Sequence, residues 1–552
     1  MKFKKCTLAL CVSTAILSGA LQAEIQTDSV SAFTGVQQQE RTTYALYLNS
    51  AAAIELQGNK LNYKQRLAEV TKFQDQVFNK IKAIDPKAKL VARSSMVASM
   101  INEELQTSVI GQVKALEAVQ QVFNANNTSS VKFTQNVKAV EQNVSVMADK
   151  EVALLTPYTG NESAGTGVNV AIISTGLDYT LPIFGGSGVY GEDNDPETPP
   201  PAGSYLEALE NGAIEYSGFP TSVGAGGWDF SSENYGNDAN PIDQNLSYES
   251  WDGWVYPTGM GTELASIVHQ LAPGAKLHAY KVSNVSGASW DPSYITAAGP
   301  TLDKIISAFE HALDPNQDGD ISDRIDIALL EASGAGAFFD IDGNASVSLL
   351  QLLIERVSAQ GVTVITHAGD LAEYSLYGTA EAKHRNWISA EGSATSAITV
   401  GAVKFADDGE TLVVPEWAAM GPVRGSQTLK PEIVTFTDNQ PVAKISNADE
   451  TAAKFGMRSD SMAGVARIAA AAAVIKSQFP GFGPAEIKAI LANTANINSI
   501  LESDGVTPAE IYSIGHGVEN IDAAISSPVV AWESTSSQPY VQFGMHEVAD
   551  SV

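Results

Sequence analysis

The chain has 552 residues, 44% of them hydrophobic and 17% charged, with a formal net charge of −30. That length exceeds one ordinary domain, and that composition is globular rather than disordered. So acidic a chain is repelled by nucleic acid and by anionic membrane, which excludes both as partners.

Residues 1–23 read as a secretory signal. Lys2, Lys4 and Lys5 supply the basic start, Thr7 to Leu17 the apolar stretch, and Ser18-Gly19-Ala20 or Ala23 the small-residue cleavage site. The apolar stretch is too short to span a bilayer, and no other segment is long and apolar enough. A secreted or periplasmic location is expected. Cys6 and Cys11 both lie inside the signal, so the mature chain carries no disulfide. Its stability then rests on core packing, with bound cations as the other available support.

Residues 24–125 form a first unit, with an α+β pattern from residue 42 onward. Tyr44 to Leu48 alternates as a strand does, and Lys64 to Ile84 has helical spacing stopped by Pro86. Leu90 to Val97 reads as a second strand and Val109 to Phe123 as a second helix. Residues 126–164 are a connector. From 165 to 525 the texture changes. Val168–Ile173, Lys276–Val282, Ile325–Leu330, Val362–Thr366 and Ala397–Val403 are nearly unbroken apolar runs, as buried parallel strands are. Helical segments alternate with them at Gly261–Leu271, Lys304–Ala312 and Leu349–Ser358. Such alternation predicts a doubly wound parallel sheet with helices on both faces. An Ala-rich helix from Met462 to Gln478 follows, and Pro484 opens another at its first position. Residues 526–552 alternate in places like a strand pair and suit the start of a further β domain.

Four stretches resemble the subtilase (subtilisin-like serine peptidase) family in order and spacing. Gly167-Val168-Asn169-Val170-Ala171-Ile172-Ile173-Ser174-Thr175-Gly176 is similar to the strand that carries the catalytic aspartate. Gly259-Met260-Gly261-Thr262 is similar to the start of the catalytic-histidine helix. Ser459-Asp460-Ser461-Met462-Ala463 is similar to the nucleophile turn, and Pro484-Ala485-Glu486-Ile487-Lys488 to the helix after it. The resemblance implies an α/β, subtilisin-like doubly wound domain preceded by a small α+β inhibitory pro-segment.

The chemistry of the family is another matter. A serine hydroxyl needs a base, an orienting carboxylate and oxyanion donors. By resemblance the aspartate position holds Ser174, the histidine position Met260 and the oxyanion asparagine position Asp370. Only Ser461 keeps its family identity. The substrate strand reads Glu331-Ala332-Ser333 in place of the family's Ser-Leu-Gly. These replacements predict a pseudoprotease that keeps a peptide-binding groove without cleaving, with a peptide, a protein or its own pro-segment as ligand. The competing class is an active serine endopeptidase. It could be of serine-carboxyl, sedolisin-like type, with Glu263 as acid and base and Asp370 as the aspartate at the oxyanion position, although Ile267 stands where sedolisins carry a second carboxylate. His269, about 13 Å along the helix from Met260, is too distant to replace it. Plainer readings are open as well: Ser461 as a helix cap and Met260 as core.

Asp314, Asn316, Asp318 and Asp320, with Gly319 between, match the oxygen spacing of a calcium loop. Ile325 occupies the twelfth position, where a glutamate is expected, leaving Asp323 or Asp326 to substitute. A solvated acidic turn is the alternative.

Overall fold

A computed structural model describes residues 41–56, 62–124, 155–188, 218–231, 239–243, 248–249, 255–256, 259–283, 301–331, 347–369, 388–423, 426, 428–445, 455–497, 499–534, 536 and 538–540. The expected signal, most of the connector, Ala332, Ser333 and Asp370 lie outside these residues.

The first unit is a four-stranded antiparallel sheet with one long helix. β1 (Arg41–Leu48) sends Tyr44, Leu46 and Leu48 to one face and Ala45 and Tyr47 to the other. The first set packs against Val77 and Ile81 of α1 (Tyr63–Ile84). The side chain of Asn62 accepts from the Gln65 amide, and that of Gln65 accepts from the Asn62 amide, a reciprocal box that starts α1. β2 (Lys89–Ser94), β3 (Met100–Gln106), α2 (Ile110–Lys114) and β4 (Val119–Asn124) complete the unit in the strand order β2-β3-β1-β4.

Two expectations fail here. The strand expected at Leu90–Val97 stops at Ser94, and β3 follows it unforeseen. The helix expected from Val109 to Phe123 is one short turn, after which the chain becomes β4. Val119, Val122 and Phe123 are spaced well enough for a helix, but β1 offers an open edge, and β4 pairs with it antiparallel along one side.

The second unit begins with β5 (Asn169–Ser174) and β6 (Gly224–Asp229), then a two-residue pair, β7 (Tyr248–Glu249) and β8 (Val255–Tyr256). α3 (Met260–Leu271), β9 (Lys276–Lys281), α4 (Leu302–Leu313), β10 (Ile327–Leu330), α5 (Val347–Ala359), β11 (Thr363–His367) and β12 (Ile398–Phe405) alternate as the sequence predicts. β13 (Leu412–Val413), β14 (Ile433–Phe436), β15 (Gln440–Ala443) and β16 (Phe455–Arg458) lead to α6 (Ser461–Gln478) and α7 (Pro484–Thr494). β17 (Ile500–Leu501), α8 (Ile511–Ile514) and α9 (Ile521–Ser526) close the unit. Strands β12, β11, β10, β5, β9 and β6 lie side by side and all parallel, so their carboxyl ends share one edge. Among the described residues beyond 526 there is one bridge, Glu533 to Gln538, rather than a strand pair.

α6 fixes the geometry of that edge. Ala469 to Ala473 are all fully buried. Gly464 lies so close to Thr435 and Thr437 that a Cβ there would come within 3.0 Å of their methyl groups. Small side chains thus let the helix lie down on the sheet.

The two units share a core. Ala45, Tyr47, Met96 and Met100 of the first pack with Ile305 and Phe309 of the second. Polar contacts align them: Glu310 Oε1 accepts from the amides of Met96 at 2.6 Å and Val97 at 3.2 Å, and Asn102 donates to Asp303 at 3.0 Å.

A charged cluster is buried under α7. Glu432 lies 2.7 Å from both Lys430 and Lys488, and all three are out of solvent. Burial pulls the Lys430 ammonium down to about 7. Burial alone would raise Glu432, but the two ammonium groups outweigh it and hold the carboxyl below its usual range. Lys430 also donates to the Ala397 carbonyl and the Thr399 hydroxyl, and Lys488 to the carbonyls of Thr395 and Ala397. Glu432→Gln would leave two buried cations without an anion, and should cost about 3–5 kcal/mol of unfolding free energy. Guanidinium unfolding of the two proteins measures this, and a loss under about 1 kcal/mol would show that the cluster does not hold the fold.

Candidate active site

The carboxyl edge of a parallel sheet is where such folds place their chemistry. Ser174 ends β5, Glu331 follows β10, His367 ends β11, and Ser461 opens α6 beside them. Asp460 caps α6 by accepting from the Ala463 amide at 2.9 Å, which fixes where Ser461 begins the first turn.

Ser461 is hydrogen-bonded to a histidine. Its Oγ lies 2.9 Å from His367 Nδ1, and His367 Nε2 lies 2.9 Å from Glu391 Oε1. All three are buried, at 2%, 6% and 3% exposure. When Nδ1 accepts the serine proton's hydrogen bond, Nε2 carries the hydrogen that Glu391 accepts. The order serine, imidazole, carboxylate is therefore complete, with the ring nitrogens in the opposite sense to the usual triad.

The surrounding backbone holds this line in place. Glu391 opens a short turn, Glu391–Ser393, that lies against β11. Ser389 donates to the His367 carbonyl at 2.8 Å, the Gly392 amide donates to Ser389 at 3.0 Å, and Thr399 donates to the Gly392 carbonyl at 2.6 Å. Gly392 has no room for a side chain, because a Cβ would come 2.6 Å from the His367 carbonyl oxygen.

The other residues singled out in the sequence are engaged elsewhere. Ser174 is fully buried and donates to Glu331 at 2.6 Å. Met260 packs in the main core with Leu264 and Val442, as its plainer reading has it. Glu263 is ion-paired with Lys444 and Arg458, and Arg458 also pairs with Asp460. His269 is half-buried against Phe184, and burial pulls its ring below the usual range. The loop at Asp314 turns inward on itself. Asp314 accepts from the amides of Asp318 and Gly319, Asn316 from Asp318, Asp318 from Asp320, and Asp320 from Ser322. Among the described residues no group of three or more His, Cys, Asp or Glu is placed to hold a metal ion.

The Subtilase family profile matches residues 165–517, well over half of the chain. The chain belongs to the subtilase family. This subtilase has the subtilisin-like arrangement of a parallel sheet between helices, with a small antiparallel sheet unit before it. Among solved structures it is similar to fervidolysin from Fervidobacterium pennivorans, a keratinolytic enzyme related to subtilisin, at 13% identity and TM-score 0.48, over 89% of this chain and 62% of that one. It is also similar to a lanthipeptide protease, at 14% identity and TM-score 0.42, over 67% and 89% of the two chains. A third is sphericase, at 17% identity and TM-score 0.42, over 65% and 92%. The chain thus spans less than two thirds of fervidolysin's length. No curated protein matches it.

Sequence reasoning by family position missed His367 and Glu391. A signal for the first was present: of the seven histidines, His367 directly follows the expected strand Val362–Thr366, on the edge where sites form. Glu391 had none, since only the folded turn brings it across 24 residues to the ring.

Glu263 is bound up with two cations on the far side of Asp460. Glu263→Gln should therefore lower the denaturation midpoint while leaving the rate of Ser461 labelling by a fluorophosphonate within twofold of the parent. A tenfold fall in that rate, with the fold intact, would restore Glu263 as an acid or base.

Proposed function

We propose that this subtilase is an exported serine hydrolase of the peptidase type in which Ser461 is the nucleophile, His367 its base and Glu391 the orienting carboxylate. The observation that carries this reading is the unbroken hydrogen-bonded line of the three, 2.9 Å at each step. It replaces, at different places in the chain, the two groups lost at Ser174 and Met260.

The steps balance without a cofactor. Oγ attacks the scissile carbonyl while Nδ1 takes its proton, and Glu391 stabilises the imidazolium that forms. The first amides of a helix have no acceptor within it, so the N–H groups of Ser461 and Met462 are available to the oxyanion, with the helix dipole behind them. The imidazolium returns the proton to the leaving amine. Water then adds to the acyl-serine through the same base and frees the product acid. Family membership supports a polypeptide substrate, the leader at 1–23 supports export, and residues 24–125 are the inhibitory pro-segment and first ligand of the groove.

A second reading has its own support. Ser174 and Met260 cannot do the family's chemistry, and Ser461 is almost closed to solvent. On that reading the chain is a pseudoprotease that binds a peptide without cutting it, and the buried line is a structural filler. Fluorophosphonate labelling separates the two, because only an activated serine reacts. Under the first reading Ser461 is labelled, His367→Ala or His367→Gln slows labelling at least 100-fold, and Glu391→Gln slows it at least tenfold. No labelling of the parent protein, together with a secreted product that begins near residue 24 both in the parent and in Ser461→Ala, establishes the pseudoprotease.

Calcium belongs to this proposal as a stabilising ligand of the loop Asp314, Asn316, Asp318 and Asp320, supported by their spacing alone. A bound ion raises the melting temperature by mass action. The expected outcome is a rise with calcium that chelator reverses and that Asp318→Ala abolishes.

A further inference from the structure

Within the first unit one carboxyl group stands apart from the others. Glu103 lies on the face of β3 that packs under α1, directly between Tyr44 of β1 and Leu90 of β2. It is fully buried, and neither of its carboxylate oxygens has a hydrogen-bond partner. The apolar cluster between this face of the sheet and α1 includes Leu46, Val77, Ile81, Ile101 and Leu105. An ionised carboxyl without donors in such a place is strongly disfavoured, so the folded unit holds it protonated.

The charges around it do not offset this. Asp85, at the end of α1, repels a charge on Glu103, and Lys82 in the last turn attracts one. Asp85 itself is held ionised by Arg41 and by the amides of Lys87 and Gln106. Glu104, next along β3, points to the other face and pairs with Arg41 and Lys89. Burial and Asp85 together push the Glu103 carboxyl up to about 8. Burial raises the two carboxyls where the units meet as well, Glu310 to about 7, but both have donors that Glu103 lacks: Glu310 receives two amide hydrogens and Asp303 that of Asn102.

We propose that Glu103 makes the pro-segment unit a proton-locked clasp, folded and docked while Glu103 is protonated and opened as it loses its proton. β3 links the lock to the docking face, because Asn102 beside Glu103 donates to Asp303 and Met100 sits in the shared core. The sign follows from linkage. The unfolded unit releases this proton near the ordinary value for glutamate, about 4.3, and the folded unit only well above it. The contribution of Glu103 to stability is fully present below the unfolded value. It falls as pH rises between the two values and is lost above the folded one. The unit is therefore tight in acid and loose in mildly alkaline medium. That this opening frees the site at Ser461 rests on the reading of residues 24–125 as an inhibitory segment; the folding equilibrium itself does not.

The test uses the full chain carrying Ser461→Ala, so that no self-cleavage alters the population. Hydrogen exchange of peptides from β1 and β3, corrected for intrinsic rates, gives the opening constant of the unit from pH 5.5 to 8. The same is measured with Glu103→Gln and, as a second neutral variant, Glu103→Leu. Glu310 and Asp303 are common to all three proteins and cancel in the ratios. One proton released on opening changes the constant tenfold per pH unit. The ratio of parent to Glu103→Gln should therefore rise at least 30-fold across the range, and likewise against Glu103→Leu. Ratios that stay within threefold, or a parent constant that does not rise with pH, overturn the proposal whatever the chemistry of Ser461 proves to be.

Discussion

A helix that is apolar on every side can be stable only inside the protein, and α6 is such a helix. Fourteen of its residues from Ser461 to Ile475 are buried. Once it lies across the sheet, its first residue is fixed at the carboxyl edge, because β16 and the Asp460 cap end immediately before it. The remaining site residues come to Ser461, and not the reverse: His367 at the end of β11 and Glu391 on the turn that leans on β11.

That constraint leaves the fold largely indifferent to what stands at two other positions. Positions 174 and 260 serve the sheet and α3 equally well with other residues. Ser174 satisfies itself on Glu331, and Met260 fills core volume next to Leu264. Neither change leaves a buried polar group exposed to cost. The amino terminus of α6 keeps its Asp460 cap in either case, and the end of β11 brings an imidazole against Ser461.

The sheet was legible in the sequence because its strands are buried on both faces and read as apolar runs. The boundaries of β5, β9, β10 and β11 fall within one or two residues of those expected. The first unit was harder, since β3 has a polar-looking sequence, Met-Ile-Asn-Glu-Glu-Leu-Gln, whose Asn102 and Glu103 are nonetheless buried. β4 mimicked a helix because its apolar residues follow a second set three to four positions apart. At the site, the place of Ser461 at the start of α6 was legible from its turn. Its contact with His367 was not, because a motif search asks what stands at inherited positions, whereas a hydrogen bond asks only what is near. The Glu391 carboxylate meets His367 through a turn that no local pattern announces.

Two glutamates show how far environment, rather than residue type, decides chemistry. Glu391 and Glu103 are both almost fully buried. Glu391 faces a ring nitrogen at 2.9 Å, so its charge has a donor and gains further when the ring takes a proton. Glu103 faces apolar side chains, so its charge has no donor and strains the unit that contains it. The first arrangement places a carboxylate oxygen against a ring nitrogen at the carboxyl edge of the sheet. The second penalises ionisation where it would loosen a fold. Opposed settings of this kind let one residue type serve as a hydrogen-bond acceptor in one place and as a buried neutral acid in another.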